Sequence, residues 1–326
     1  MNRREFIFAL TGVALSGSAF AKENPLPQST DIQRAKVSLV KATDRASGIQ
    51  KAISILGVNP VKGKDVLLKP NFNSADTFPG STHNDTLINL ILHLKEMGAK
   101  SITIGERSGP PDTSDVLKEK GIYDICKKLA VKLINFEDLP PNDWVKIKPE
   151  ESHWKDGFYV ARPVIDSECI VTTCCLKTHG YGGVFTISLK LSVGITSKQN
   201  MSELHSSKNM RKMIAEINQA YKPSLILLDA TEAFVDGGPA TGTKKKADVI
   251  LAGADRIAVD AVGLSILKEL GSNKAIMGRK IFEQEQIARA VELGLGVTRP
   301  EDIEIVTGDK TSKEYTGRLK EILAEG

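Results

Sequence analysis

The densest group of residues able to do chemistry lies at residues 177–183, which read Lys-Thr-His-Gly-Tyr-Gly-Gly. Lys177 and His179 are two positions apart, so in an extended strand their side chains share one face. A histidine can transfer a proton or bind a metal near neutral pH, and lysines beside it favour an anionic partner. We therefore predict that Lys177 and His179 are catalytic. A structural histidine in a tight turn is the alternative.

The residues that follow this pair fit a binding role. Gly182 and Gly183 lack side chains, so the backbone can approach a ligand closely at these positions. Lys190 comes shortly afterwards and adds a further positive charge. We predict that these three residues bind substrate.

A second group, Lys69-Pro70-Asn71, directly follows a predicted strand at residues 66–68. Proline restricts the backbone at this point, where the side chains of Lys69 and Asn71 would face a crevice. A lysine here can hold a carboxylate or phosphate, or act as a base if burial lowers its pKa. Lys69 and Asn71 are therefore predicted to bind substrate, and an ordinary turn whose lysine reaches water is the alternative.

Asp229 comes directly after another predicted strand, at residues 224–228. A carboxylate at a strand end can orient His179 or bind a cation, so Asp229 is our third candidate catalytic residue. Together with His179 it is also a candidate metal ligand, although the sequence does not identify a metal. Asp236, which precedes Gly237, is better explained as a turn residue.

The chain has four cysteines, Cys126, Cys169, Cys174 and Cys175, and contains no C-x-x-C pattern. This spacing does not support a ferredoxin-type cluster or a zinc ribbon. Three of the four lie in one apolar strand-like run, so we interpret them as buried strand residues in preference to metal ligands. The cofactor stays unknown.

These candidate residues need a scaffold, and the hydrophobic pattern alternates between strand-like and helix-like segments from residue 36 onwards. This alternation predicts an α/β fold with a mixed, largely parallel sheet flanked by helices. The region 36–326 forms either one domain or two lobes, 36–150 and 151–326. In such sheets ligands bind at the carboxyl ends of the strands, where the candidate residues lie.

The same pattern predicts individual elements. Helices are expected at residues 45–56, 85–97, 207–221 and 255–270, with Asn84 and Asp255 as caps of the second and fourth, and a strand is expected at 303–306. Glu106 and Arg107 lie beside another strand end and are weaker site candidates, and His205 is interpreted as a surface or structural residue.

The N-terminal segment predicts export. Arg3 and Arg4 precede a short apolar stretch, and Ala21 ends a small-residue cleavage motif, so residues 1–21 resemble a twin-arginine signal peptide. Residues 22–35 are predicted to be a flexible segment. We expect the twin-arginine machinery to be a partner, the location to be periplasmic or otherwise extracytoplasmic, and no membrane anchor to remain after cleavage.

Cleavage after Ala21 leaves 305 of the 326 residues with a net charge of +3, because the segment carries two arginines and one glutamate against a total of +4. The charge is nearly balanced, aromatic residues are few and no basic stripe is present. Nucleic acid is therefore a poor candidate partner, and a small anionic ligand is a better one. The run at residues 244–246, three lysines, is interpreted as a solvated loop.

Four segments taken in order resemble the domain-of-unknown-function 362 family over roughly residues 65–270. They are Lys69-Pro70-Asn71, the turn at 98–100 with the strand after it, Lys177-Thr178-His179 with Lys190, and the segment 255–260. Many members of that family carry an appended ferredoxin module and are described as iron–sulfur binding. This chain has no such module, so the resemblance implies the fold and the candidate positions rather than a reaction. The family lysine is usually followed by asparagine, but Leu191 follows Lys190.

A second segment is similar to the nickel-pincer lactate racemase family. It comprises His179, the Gly182-Gly183 pair, a lysine, and Val193-Gly194-Ile195. That resemblance implies a racemase or epimerase of hydroxy acids, with His179 near the metal and a lysine holding the cofactor. The spacing between the glycine pair and Lys190 departs from the family pattern.

Two classes of function follow. The first is an enzyme that acts on a small anionic substrate through lysine and histidine chemistry, with or without a metal. The second is a periplasmic protein that binds a ligand or metal, or helps a partner enzyme to mature. Whether the chain is an enzyme stays open at this level.

Overall fold

The computed structural model describes residues 34–325. The predicted signal peptide, with Arg3, Arg4 and Ala21, lies outside the described residues. Within residues 34–325, no helix combines the length and the apolar character that a membrane span requires.

Strands and helices alternate along the described chain. The strands are β1 Ala35–Lys41, β2 Asp65–Lys69, β3 Ser101–Glu106, β4 Lys132–Asn135, β5 Trp144–Ile147, β6 Phe158–Ala161, β7 Cys169–His179, β8 Val184–Thr186, β9 Leu225–Gly237, β10 Gly242–Gly253 and β11 Ile303–Val306. The helices are α1 Arg45–Leu56, α2 Asn84–Glu96, α3 Thr113–Glu119, α4 Ile122–Leu129, α5 Arg162–Ile165, α6 Ser188–Leu191, α7 Met201–Ser206, α8 Met210–Ile217, α9 Arg256–Glu269, α10 Lys274–Met277, α11 Glu285–Glu292 and α12 Lys310–Glu325.

Nine strands form one sheet in the order β11-β1-β10-β9-β7-β2-β3-β4, with β8 paired to the end of β7. The pairs β9-β7, β7-β2, β2-β3 and β3-β4 are parallel, whereas β10 runs antiparallel to both of its neighbours. Strands β5 and β6 form a separate two-stranded sheet. The prediction of a mixed, largely parallel sheet flanked by helices is confirmed.

The central strand β7 is buried along all eleven of its residues. One of its faces, which includes Leu176, packs in a core cluster with α9, and the other face, which includes Val171, packs in a cluster with α1 and α2. A strand covered on both sides has little room to move. The side chains at its carboxyl end are therefore held firmly in place.

Local sequence explains the helix boundaries. The Asp44 side chain accepts a hydrogen bond from Ser47 N at 2.8 Å and caps α1, which ends at Gly57 in the left-handed conformation (φ 68°). Asp255 caps α9 in the same way, through Ala258 N at 2.9 Å, as the sequence predicts. The cap of α2 is His83 and not the expected Asn84.

Two predicted elements differ from the structure. The helix expected over residues 207–221 is shorter in the structure, where α8 covers only Met210–Ile217. Before it, the Ser207 hydroxyl accepts a hydrogen bond from Asn209 N and forms a turn between α7 and α8. The lysines at residues 244–246 are exposed, as expected, but lie in β10 and not in a loop. Their backbone pairs with β9, whose length the short apolar run at 224–228 does not reveal.

The boundary between the alternative lobes, at residues 150 and 151, falls within one continuous sheet. Strand β2 precedes this boundary and pairs directly with β7, which follows it. Residues 34–325 belong to one compact unit.

Candidate functional site

The carboxyl ends of three adjacent parallel strands meet at a cavity of about 870 Å³. Strand β2 contributes Lys69, β3 contributes Glu106 with Arg107 after it, and β7 contributes Lys177 and His179. Parallel neighbours end at the same edge of a sheet, so their terminal side chains converge. The loops that follow the strands complete the walls.

Most of the predicted site residues meet in this cavity. Those that line it are Lys69, Asn71, Lys177, His179 and Lys190. Gly182 lies outside the lining, and its carbonyl accepts a hydrogen bond from Arg211. Gly183 also lies outside the lining but packs against it, and Asp229 belongs to another network.

Lys69 is neutralised within the cavity wall by the buried carboxylate of Glu106, with which it forms an ion pair. Glu106 also accepts hydrogen bonds from Phe72 N at 2.8 Å and Arg107 N at 2.9 Å. Burial lowers the pKa of Lys69 and raises the pKa of Glu106, and their mutual attraction opposes both shifts. A Cβ atom at Gly194 would lie 2.7 Å from Lys69 Nζ and 3.1 Å from Glu106 Oε1, so a side chain at this position would require the ion pair to shift.

Lys177 is completely buried, and no carboxylate within residues 34–325 forms an ion pair with it. Its ammonium donates to Asn71 Oδ1 at 3.0 Å and to the Gly80 carbonyl. Asn71 therefore positions Lys177. Burial lowers the pKa of Lys177, and the Asp76 carboxylate, elsewhere in the cavity wall, acts in the opposite direction.

Lys190 lies on the short helix α6, and within the described chain its side chain makes no hydrogen bond or ion pair. Burial, reinforced by the charges of Lys177 and Arg107, lowers the pKa of Lys190 from 10.5 to about 7. Asp260 fixes the start of helix α6. Its buried carboxyl group accepts hydrogen bonds from Ser188 N at 2.7 Å and from Leu189 N at 3.1 Å. Burial raises the pKa of Asp260 to about 8.

His179 is uncharged at neutral pH. Burial and the neighbouring charges of Lys190 and Lys177 lower its pKa to about 2. Its Nδ1 atom is buried with no hydrogen-bond partner and faces Gly183, where a Cβ atom would lie 2.9 Å from Nδ1 and 2.8 Å from Lys190 Cε. Gly183 thus brings the histidine and the lysine together, a supporting role that differs from the predicted substrate contact.

Three buried polar atoms in the lining lack any hydrogen-bond partner in the described chain: Arg107 Nε, His179 Nδ1 and Thr186 Oγ1. Buried polar groups in folded proteins are nearly always paired, because an unpaired group costs about 1–3 kcal/mol. Three such atoms around one cavity indicate a site built to receive a polar ligand.

Arg107 adds a third cation that no ion pair neutralises. Its guanidinium donates to the carbonyls of Ser108, at 2.7 Å, and Val193, and it reaches Met201 Sδ at 3.4 Å. Burial lowers the pKa of Arg107 to about 10, so it stays charged at neutral pH. The cavity therefore has a positive interior that suits an anion.

Asp229 does not contact His179. Its carboxylate accepts hydrogen bonds from Arg45 Nε at 2.8 Å, Thr86 Oγ1 at 2.5 Å and Thr231 N at 3.0 Å. Asp229 therefore forms an ion pair with Arg45 and lies outside the cavity lining. It makes no hydrogen bond that could orient His179.

No group of three or more His, Cys, Asp or Glu side chains within residues 34–325 is placed to hold a metal ion. The four cysteines are buried and free. Cys169, Cys174 and Cys175 lie in β7, as expected for strand residues, whereas Cys126 lies in α4.

Several residues that line the cavity are not strong candidates from the sequence. Glu106 ends β3 and Arg107 follows it, and this position at a strand end is the only sequence signal that marks them. His205, interpreted as surface or structural, lies in the wall, and Thr186 and Lys198 carried no pattern that marked them. These residues reach the cavity from loops and short elements after β7, where sequence periodicity is weak.

Comparison with curated proteins finds no significant match. Among solved structures, the chain is similar to the lactate racemase apoprotein from Thermoanaerobacterium thermosaccharolyticum, with 10% identity and a TM-score of 0.44. That alignment covers 89% of this chain and 87% of the racemase chain, and at this level of similarity it carries no argument about function.

The family model described as Domain of unknown function (DUF362) matches residues 66–265, a segment that contains all the predicted catalytic and binding positions. The chain belongs to the DUF362 family.

Proposed function

We propose that the protein is an enzyme that binds a small organic anion in this cavity and moves a proton on it with Lys190 and His179. The observation that carries the proposal is the pairing of these two buried side chains across Gly183, neither with a protein hydrogen-bond partner at its reactive nitrogen.

Lys190 is the better acid–base group of the two. Such a group works best when its pKa lies near the working pH, and the pKa of Lys190 is about 7. At neutral pH both its charged form, which attracts the anion, and its neutral form, which accepts a proton, are therefore populated. His179, with a pKa of about 2, is a neutral hydrogen-bonding group until an anion enters. A bound negative charge offsets the field of Lys177 and Lys190 and so raises the pKa of the histidine.

The cationic side chains that form no ion pair within the described residues bind the substrate. Arg107 and Lys177 are rigidly held by backbone and amide oxygens, which fixes their positions before a ligand arrives. Lys69 is already paired with Glu106, so it contributes less to binding an anion than the sequence suggests.

Proton exchange on carbon tests the proposal without a known substrate. The protein is incubated in D₂O with a panel of organic acids, and proton NMR follows the loss of each C–H signal next to the acid or carbonyl group. We expect at least one acid to exchange with the wild type, and exchange to fall at least 100-fold in His179→Gln and Lys190→Met. Lys320→Met, on the exposed face of α12, is the matched control.

Exchange that survives both substitutions in folded protein would remove these residues from the mechanism. The second candidate is a ligand-binding or maturation protein of the periplasm, favoured by the rigid hydrogen bonds of Lys177 and Arg107. A ligand that copurifies stoichiometrically and shows no exchange or turnover would support it. Elemental analysis and an absorption spectrum of natively exported protein then show whether that ligand carries a metal.

A further inference from the structure

The cavity changes in character from its buried end to its mouth. The charged residues Arg107, Lys177 and Lys190 are almost completely buried. Among the apolar residues of the lining, Pro110 and Pro111 are exposed and Met201, Val193 and Pro239 are half-buried, whereas Leu191 is buried. The polar lining residues Asp76, Lys198 and His205 are also half-buried or exposed, so the mouth combines apolar and polar side chains.

The size of the cavity also exceeds what a simple ion needs. A volume of about 870 Å³ equals roughly thirty water molecules at ~30 Å³ each, and it lies within the range that holds drug-sized ligands. Inorganic phosphate or acetate would fill only the buried end. The apolar part of the wall would then face water.

One aromatic side chain stands at the mouth. Tyr181 follows β7 in the glycine turn and is 74% exposed. Its ring is perpendicular to the ring of His179, with 6.1 Å between the ring centroids. A tyrosine combines a large apolar face with a polar tip, which suits the boundary between a ligand and water.

We propose that the ligand is an organic anion with an apolar or aromatic body. Its charged group lies at the buried end among Arg107, Lys177 and Lys190, and its body extends along the apolar wall to Tyr181. The inference rests on the proposed function, because it assigns the class of substrate to the same cavity.

The test compares carboxylates that share a head group and differ in their bodies. Isothermal titration calorimetry at pH 6.5, with chloride held constant, measures the dissociation constants of acetate, butyrate, hexanoate and 3-phenylpropionate. Each buried methylene is worth about a fourfold gain in affinity. We therefore expect at least one longer acid to bind tenfold or more tightly than acetate.

Two variants locate the body of the ligand. Tyr181→Ala is expected to weaken the tightest longer acid by three- to tenfold and to leave acetate within twofold of the wild type. Tyr123→Ala on α4 is the control, because it removes another exposed tyrosine (46% exposed) that does not line the cavity. It is expected to leave the affinities for acetate and for the longer acid unchanged.

Equal affinity across the whole series would overturn the inference while leaving anion binding intact. So would a Tyr181→Ala variant that weakens acetate as much as the longer acids. The absence of binding by every carboxylate in wild type and Lys190→Met alike would overturn the proposed function as well, so the two failures are distinguishable.

Discussion

The charge on Lys190 destabilises the folded protein, and its removal should therefore stabilise the chain. The pKa of this lysine falls from 10.5 to about 7 in the folded state, because burial disfavours the charged form. One pKa unit corresponds to about 1.4 kcal/mol, so a protonated Lys190 costs the folded state on the order of 5 kcal/mol. Methionine has a similar length and carries no charge.

The size of this effect depends on pH. Below pH 7 both the folded and the unfolded states hold the proton, so the full cost is present. Between pH 7 and 10.5 the folded state releases the proton while the unfolded state keeps it, and the cost declines. We expect Lys190→Met to raise the free energy of unfolding by up to about 5 kcal/mol at pH 6.5 and by about 1.4 kcal/mol at pH 9.5.

Urea denaturation at the two pH values, followed by circular dichroism, measures these differences. Lys320→Met replaces an exposed lysine and should stay within about 0.5 kcal/mol of the wild type at both pH values. The same Lys190→Met variant should bind anions more weakly than the wild type, as expected when a destabilising group is kept for function. A variant that is less stable than wild type at pH 6.5, or a difference that does not shrink at pH 9.5, would refute the reasoning.

Three further perturbations test how the site is assembled. Gly183→Ala places a Cβ atom 2.8 Å from Lys190 Cε and 2.9 Å from His179 Nδ1, so turnover should fall at least tenfold. The control, Gly317→Ala on α12, has open space around it and should raise the free energy of unfolding by about 0.5–1 kcal/mol. Asp260→Asn should lower the free energy of unfolding by about 1–3 kcal/mol, measured in urea, and weaken anion binding because α6 loses one carboxylate oxygen; wild-type affinity would exclude a positioning role. The affinity of the wild type for a carboxylate should fall as the pH rises above 7, by up to tenfold per pH unit, since the pKa of Lys190 is about 7; calorimetry should find a flat profile in Lys190→Met.

Local patterns carried much of the fold prediction. The helix expected at residues 45–56 agrees with α1, and the strand expected at 303–306 agrees with β11. The helix has clear boundaries in the sequence, because Asp44 caps its start and Gly57 ends it. Strands β9 and β10 extend well beyond their apolar runs. The backbone hydrogen bonds between the two strands form even where β10 carries exposed lysines.

The shared face of Lys177 and His179 and their place at a strand end follow from local sequence, because alternation along a strand is a local property. Which charges are available to a ligand depends on contacts between distant segments. The partners that neutralise Lys69 and Asp229 come from distant segments, Glu106 from β3 and Arg45 from α1. Lys190 was left without such a partner, and its burial, which sequence spacing does not encode, gives it a pKa near neutrality.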